Sequence, residues 1–126
     1  MPFRIALNMA GAVSAGAYTA GVLDFLIEAV DCWYEARDEQ RRLRGDDVES
    51  WSVPAHDVRL EALTGASAGG MCAAISSLAL QDEFAHVRQA NPPEGDAVNR
   101  LYQSWVRSID VVPLLGTVDL PNGQGP

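Results

Sequence analysis

The stretch from Phe3 to Met9 (FRIALNM) is a short apolar run that ends in a loop of small residues. Runs of this length and composition suit a strand buried in a parallel sheet. After the loop Ala10 to Gly16, apolar positions recur at Tyr18, Val22, Phe25, Leu26, Ala29, Val30 and Trp33. Steps of three and four trace one apolar face of a helix. From Arg37 to Pro54 the chain turns polar and reads as a solvated helix end followed by a surface loop of mixed charge without chemistry. Val58 to Thr64 (VRLEALT) is the second strand, and Met71 to Leu80, rich in Ala and Ser, is the second helix. Two strand–turn–helix units in succession predict a parallel α/β sheet. Beyond Asn91-Pro92-Pro93-Glu94-Gly95, Asp96 stands where it could cap a third helix carrying Val98, Leu101, Tyr102, Trp105, Val106 and Ile109. The tail from Val111 to Pro126 is apolar and then rich in Pro and Gly.

Composition narrows the function classes. The 126 residues fit one small domain or a piece of a larger one, and 48% apolar with 21% charged residues is a soluble globular composition. A formal charge of −8 argues against nucleic-acid binding, which needs Lys and Arg to neutralise phosphates. It argues equally against purely electrostatic docking on anionic lipid, so peripheral membrane contact would be mainly apolar. Cys32 and Cys72 fit no metal or redox spacing and read as two small buried apolar residues of a protein in a reducing, cytoplasmic setting. The uncharged run from Ile5 to Leu23 behind Arg4 resembles a signal peptide, yet Asn8, Ser14, Tyr18 and Thr19 dilute it and Gly11, Gly16 and Gly21 interrupt it. It is therefore read as folded structure.

Two short segments carry chemistry. Gly65-Ala66-Ser67-Ala68-Gly69 matches G-x-S-x-G between a strand and a helix. That spacing makes a sharp turn with strained backbone at the serine, while the glycines let strand and helix approach closely. The serine oxygen then emerges at the C-terminal edge of the sheet, over a helix N-terminus whose free N–H groups suit a developing oxyanion. The loop Ala10-Gly11-Ala12-Val13-Ser14-Ala15-Gly16 also joins a strand to a helix and presents backbone N–H groups to an anion. It could cradle a phosphate, although Ala17 and Tyr18 replace the Lys and Ser/Thr of a Walker A loop, and Val13 breaks the dinucleotide fingerprint. The other reading is an oxyanion loop, with the N–H groups of Gly11, Ala12 and Val13 aimed at the charge formed when Ser67 attacks a carbonyl.

Met9 through Leu23 (MAGAVSAGAYTAGVL) followed by Leu63 through Gly70 (LTGASAGG) resembles the bacterial patatin-like phospholipase family. The resemblance covers roughly Arg4 to Leu80, with a looser likeness around Trp105 and the Ile109-Asp110-Val111 run into Leu114-Leu115. It implies a three-layer α/β/α sandwich on a parallel sheet and a Ser-Asp dyad acting on lipid esters. Ser67 would be the nucleophile, the Gly11 loop the oxyanion hole, and Gly65 and Gly69 the elbow glycines. No metal or cofactor is implied.

Two departures matter. Many relatives have three glycines and a basic residue in the first loop, whereas this chain has a Val-Ser variant. The family's catalytic acid lies in an Asp-Gly pair well downstream of the serine, and no Asp here precedes Gly. Asp110 and Asp119 are poor substitutes, and His56 and His86 read as surface residues. The expectation is an incomplete domain, residues 1–126 being the N-terminal portion of an acyl hydrolase cut before its acid. A pseudoenzyme acting as an interaction module and a nucleotide-binding domain are the competing readings.

Overall fold

The computed structural model describes residues 2–12, 15–88 and 99–109. Within them the chain runs β1 (Phe3–Met9), α1 (Gly16–Arg44), a short 3-10 turn (Val48–Ser50), β2 (Val58–Gly65), α2 (Ala68–Ala79) and α3 (Arg100–Tyr102). A π-helical turn, Gln103–Arg107, continues directly from α3. The architecture is mixed α/β, built on a two-stranded parallel sheet.

β1 and β2 pair from Phe3↔Val58 to Met9↔Gly65, and α1 makes the crossover that parallel strands require. The register shifts once: Ile5 faces Leu60, but Ala6 faces Ala62. Glu61 is the extra residue of this bulge, and both Glu61 and Ala62 are exposed. The shift returns Leu63 to the inner face, where Leu7, Met9 and Leu63 pack against the core of Ala20, Leu23, Cys72 and Leu101. Arg4, Ala6 and Asn8 point to the opposite, exposed face, where Arg4 pairs with Glu61 at 3.4 Å. The first strand was expected to be buried in a parallel sheet. Among the described residues only one face is covered, so it alternates instead.

α1 differs from its sequence reading. The stripe through Tyr18, Val22 and Phe25 is exposed, with Tyr18 at 76% and Phe25 at 71%. The buried line is Gly16, Ala20, Leu23, Asp24 and Ile27, with Arg37 further along. Both lines have helical spacing, and the one with small residues wins because Gly16 and Ala20 let α1 approach its neighbours closely. The expected polar stretch from Arg37 also holds structure. Arg37 is buried and meets Asp57 at 2.8 Å, while the Tyr34 hydroxyl donates to the Val58 carbonyl at 2.6 Å, tying α1 to the start of β2. Gly45, at φ 64, ends α1 and donates its N–H to the Arg41 carbonyl.

α2 begins three residues earlier than its apolar pattern suggests, at Ala68, and buries Ala68, Gly69, Cys72, Ala73, Ser76 and Ala79. The third helix is capped by Asn99, whose Oδ1 accepts from the Tyr102 N–H at 2.9 Å. Asp96 and Val98, expected in that helix, lie outside the described residues. Cys72 is fully buried as expected, whereas Cys32 is exposed on α1, and both are free thiols. No helix among the described residues is long and apolar enough to cross a membrane.

Candidate active site

β2 ends at Gly65 and α2 starts at Ala68, leaving Ala66 and Ser67 to reverse the chain. Ser67 has φ 50 and ψ −123, the single non-glycine residue with positive φ among the described residues. Such a conformation is sparsely populated because Cβ crowds the backbone, and it persists only where the surroundings enforce it. Here glycines enforce it. A Cβ on Gly65 would meet the Gly69 carbonyl oxygen at 2.7 Å, and one on Gly69 would meet the Ala10 carbonyl oxygen at 2.8 Å. Side chains at either position would push α2 away from the sheet edge.

Ser67 occupies the N-cap position of α2, where a serine ordinarily accepts from the first turn. Its side chain makes no capping bond, because the unusual φ and ψ turn it away from the helix axis. Two amides of this turn are used internally: Gly69 N–H donates to the Ala66 carbonyl at 2.9 Å, and Met71 N–H to the Ser67 carbonyl at 3.0 Å. The Ala68 and Gly70 amides make no backbone hydrogen bond among the described residues. Ala68 follows the serine directly, and its amide is a further candidate donor that the sequence reading did not single out. The general geometry of a nucleophile elbow, which uses the amide after the serine, is the signal that identifies it.

The first loop comes to the same place. Ala66 N–H donates to the Met9 carbonyl at 3.2 Å, joining the two strand ends. A Cβ on Gly11 would lie 3.1 Å from Ser67 Cβ and 3.2 Å from the Ala66 carbonyl oxygen, so the Gly11 backbone rests against the serine. Thus Gly11, Ser67, Gly65 and Gly69, predicted separately along the chain, converge at one sheet edge, with Ala12 beside Gly11. Val13, Asp110 and Asp119 lie outside the described residues. Beneath the turn, Cys72 is fully buried and its thiol approaches the Gly16 carbonyl at 3.6 Å. Burial pushes the Cys72 thiol up, opposed by the neighbouring Trp105 indole.

Both histidines lie elsewhere. His56 is exposed, and its carbonyl accepts from the Trp33 indole at 3.4 Å. His86 is not the surface residue expected from the sequence: its side chain is 14% exposed, and Nδ1 meets Asp24 Oδ1 at 2.8 Å. Asp24, only 5% exposed, also accepts from the Val87 N–H at 2.9 Å and from Asn99 Nδ2 at 2.8 Å. This acid–imidazole–amide cluster ties the 85–88 segment and the start of α3 to α1. Neither its Asp nor its His makes a hydrogen bond to Ser67. A cleft of about 720 Å³ lies beyond it, between the outer half of α1 and residues 80–88, and is lined by Glu28, Asp31, Glu35, Asp38, Asp82 and Glu83 among others. No residue of the Ser67 turn borders that cleft.

No protein-family model matches the chain, and no solved structure matches it. A protein of Sinorhizobium fredii (strain NBRC 101917 / NGR234), described as "Uncharacterized protein y4iI", is 42% identical to it over 123 residues. That match takes in 94% of this chain and 16% of the longer protein, so the chain spans about one sixth of the curated relative's length.

Proposed function

We propose that the chain is the N-terminal portion of a patatin-like serine acyl hydrolase domain, with Ser67 as the nucleophile and the bonds of lipid esters as its targets. The observation that carries this reading is the backbone of Ser67. A serine held at φ 50 between a strand and a helix, excused from capping and touched by Gly11, has a costly geometry that packing alone does not need. In the proposed reaction Ser67 Oγ attacks the ester carbonyl and its proton passes to a carboxylate. The tetrahedral oxyanion is held by backbone N–H groups of Gly11, Ala12 and Val13, joined by that of Ala68. Collapse breaks the ester C–O bond and the alcohol leaves with that proton; water then attacks the acyl-serine, giving a proton to the carboxylate that is passed to Ser67 Oγ as the free acid departs.

Two further observations support a larger sandwich. Purely parallel sheets are normally covered on both faces, whereas this one has a solvent-facing side among the described residues. The Sinorhizobium fredii protein that is 42% identical over this region is about six times longer, with room for further strands and for the acid. In this reading the chain is three-layer α/β/α in its complete form. The dyad Asp comes from outside the described residues, and lipid is met at a peripheral, mainly apolar surface without a cofactor.

A fluorophosphonate probe applied to a protein that includes this region tests the assignment. Covalent labelling is expected on the peptide containing Ser67 and is expected to vanish in Ser67→Ala. Absence of labelling in a long, folded protein that contains an Asp-Gly pair overturns the nucleophile reading. The competing interaction-module reading is favoured by one observation: no carboxylate or imidazole meets Ser67 among the described residues. It predicts a folded full-length protein that hydrolyses no ester and is indifferent to Ser67→Ala.

A further inference from the structure

The loop that carries Gly11 is held at both ends. On the β1 side, the Met9 carbonyl accepts from Ala66 and the Ala10 carbonyl lies against Gly69 in the first turn of α2. On the α1 side the loop closes at Gly16, which is buried. The Gly16 carbonyl takes the Cys72 thiol, and its Cα is covered by the benzene ring of Trp105. A methyl group at position 16 would fall among Cε3, Cζ3 and Cη2 of that ring. No other described glycine is covered by an aromatic side chain in this way.

Trp105 reaches Gly16 at two evident costs. It sits in the π-helical turn Gln103–Arg107, directly after the three α-helical residues Arg100–Tyr102. A π turn carries side chains away from where a continuing α-helix would put them, and such turns concentrate at functional sites. Among the described residues the Trp105 indole N–H is also buried without a regular hydrogen-bond partner and faces the weak acceptor sulfur of Cys72. Buried tryptophans usually satisfy that group, and leaving it unmade is unfavourable. The ring is therefore placed by its contact with Gly16 and the core rather than by its own polar atom. Leu101, 1% exposed, anchors the preceding turn.

We infer that Trp105 is a positioning residue, which seats the backbone at Gly16 and so fixes the distance between the Gly11 amides and Ser67. The inference rests on the reading of Ser67 as a nucleophile and adds the residue that sets its oxyanion hole. Core packing alone predicts that loss of Trp105 lowers stability and nothing else. Positioning predicts that it also slows the step in which charge builds on the oxygen, because small misplacements of the stabilising groups are expensive in rate.

The test follows the rate of fluorophosphonate labelling at Ser67 in a longer protein that includes this region and an Asp-Gly pair, resolved into reversible probe affinity and the maximal labelling rate. Melting temperatures are recorded for every variant. Trp105→Leu is expected to reduce the maximal rate about tenfold or more with little change in probe affinity, and Trp105→Phe to recover part of it. Gly16→Ala, which forces the backbone off the ring from the other side, is expected to produce the same loss. Combining Gly16→Ala with Trp105→Leu is expected to label faster than Gly16→Ala alone, since the smaller side chain makes room for the methyl. Equal maximal rates in folded parent, Trp105→Leu and Gly16→Ala overturn the positioning role and leave the nucleophile reading intact. A folded parent protein that contains this region and an Asp-Gly pair and never labels at Ser67 overturns both. If Trp105→Leu fails to fold, Trp105→Phe and Gly16→Ala carry the same comparison.

Discussion

The two polar centres of this molecule are built on opposite plans. Around Asp24 a buried side chain organises the centre and is fully partnered: its carboxylate meets the His86 ring, the Val87 backbone N–H and the Asn99 side-chain amide, all at 2.8 or 2.9 Å. Around Ser67 nearly everything is backbone. Gly11, Gly65 and Gly69 surround a hydroxyl that caps nothing, and the amides of Ala68 and Gly70 have no backbone acceptor among the described residues. A satisfied buried network holds segments together, since its hydrogen bonds are spent on the fold. In the proposed reaction the strained serine and the unspent donors beside it meet the ester carbonyl. This acid and this histidine lie in the partnered centre, and neither makes a hydrogen bond to Ser67.

The comparison can be broken from the Asp24 side first. Asp24→Ala takes the buried acceptor from the Val87 N–H and the Asn99 side-chain amide and is expected to destabilise the chain by about 2–4 kcal/mol, the cost of leaving buried donors without a partner. Urea unfolding measures it, and a loss below about 1 kcal/mol would show that the cluster is ornamental. The Ser67 side predicts an effect of opposite sign. Ser67→Gly removes the Cβ that makes φ 50 unfavourable, so the folded chain is expected to gain about 1 kcal/mol while losing all fluorophosphonate labelling. A destabilising Ser67→Gly would mean the turn is not strained.

The smallest effect sharpens how dry the floor beneath the turn is. The folded-state pKa of Cys72 is raised above its ordinary 9.0 by burial. Above that value the unfolded chain loses the thiol proton while the folded chain keeps it, so folding binds protons and stability falls as pH climbs past about 9. Below it, both states hold the proton and the group contributes no slope. Cys72→Ala is expected to flatten the alkaline part of a stability–pH curve. Iodoacetamide at neutral pH is expected to modify exposed Cys32 and spare Cys72 until the chain unfolds.

Much of this was legible along the chain. The strand bounds, the elbow and the first loop follow from local signals: apolar runs, small residues and a fixed G-x-S-x-G spacing. What escaped depends on contacts between distant positions. The buried face of α1 was misassigned because Tyr18, Val22 and Phe25 form as good a helical stripe as Ala20, Leu23 and Ile27, and only the close approach of neighbouring elements chooses between them. Asp24 was overlooked because a lone acid on an apolar helix carries no local mark, and its three partners lie about sixty residues or more away in sequence. For the same reason His86 looked like a surface residue, and Cys32 could not be told from Cys72. The Asn99 cap was hidden behind the more conventional candidate Asp96.

The bulge in β2 also governs how the strand counts. From Phe3 to Met9 the first strand uses seven residues, while from Val58 to Gly65 the second uses eight to cover the same ladder. Glu61 is the surplus link: Val58 and Leu60 before it and Leu63 after it all lean inward, a sequence of even steps interrupted by one odd one. Deleting Glu61 would turn the strand into an ordinary alternation without moving Leu63 off the core or shifting Ser67 along the sheet edge. Deleting any inward-pointing neighbour instead would leave a gap in the core lining. Length in this strand is thus negotiable at one solvent-facing position, and the distance from the start of β2 to the serine is better measured in rungs than in residues.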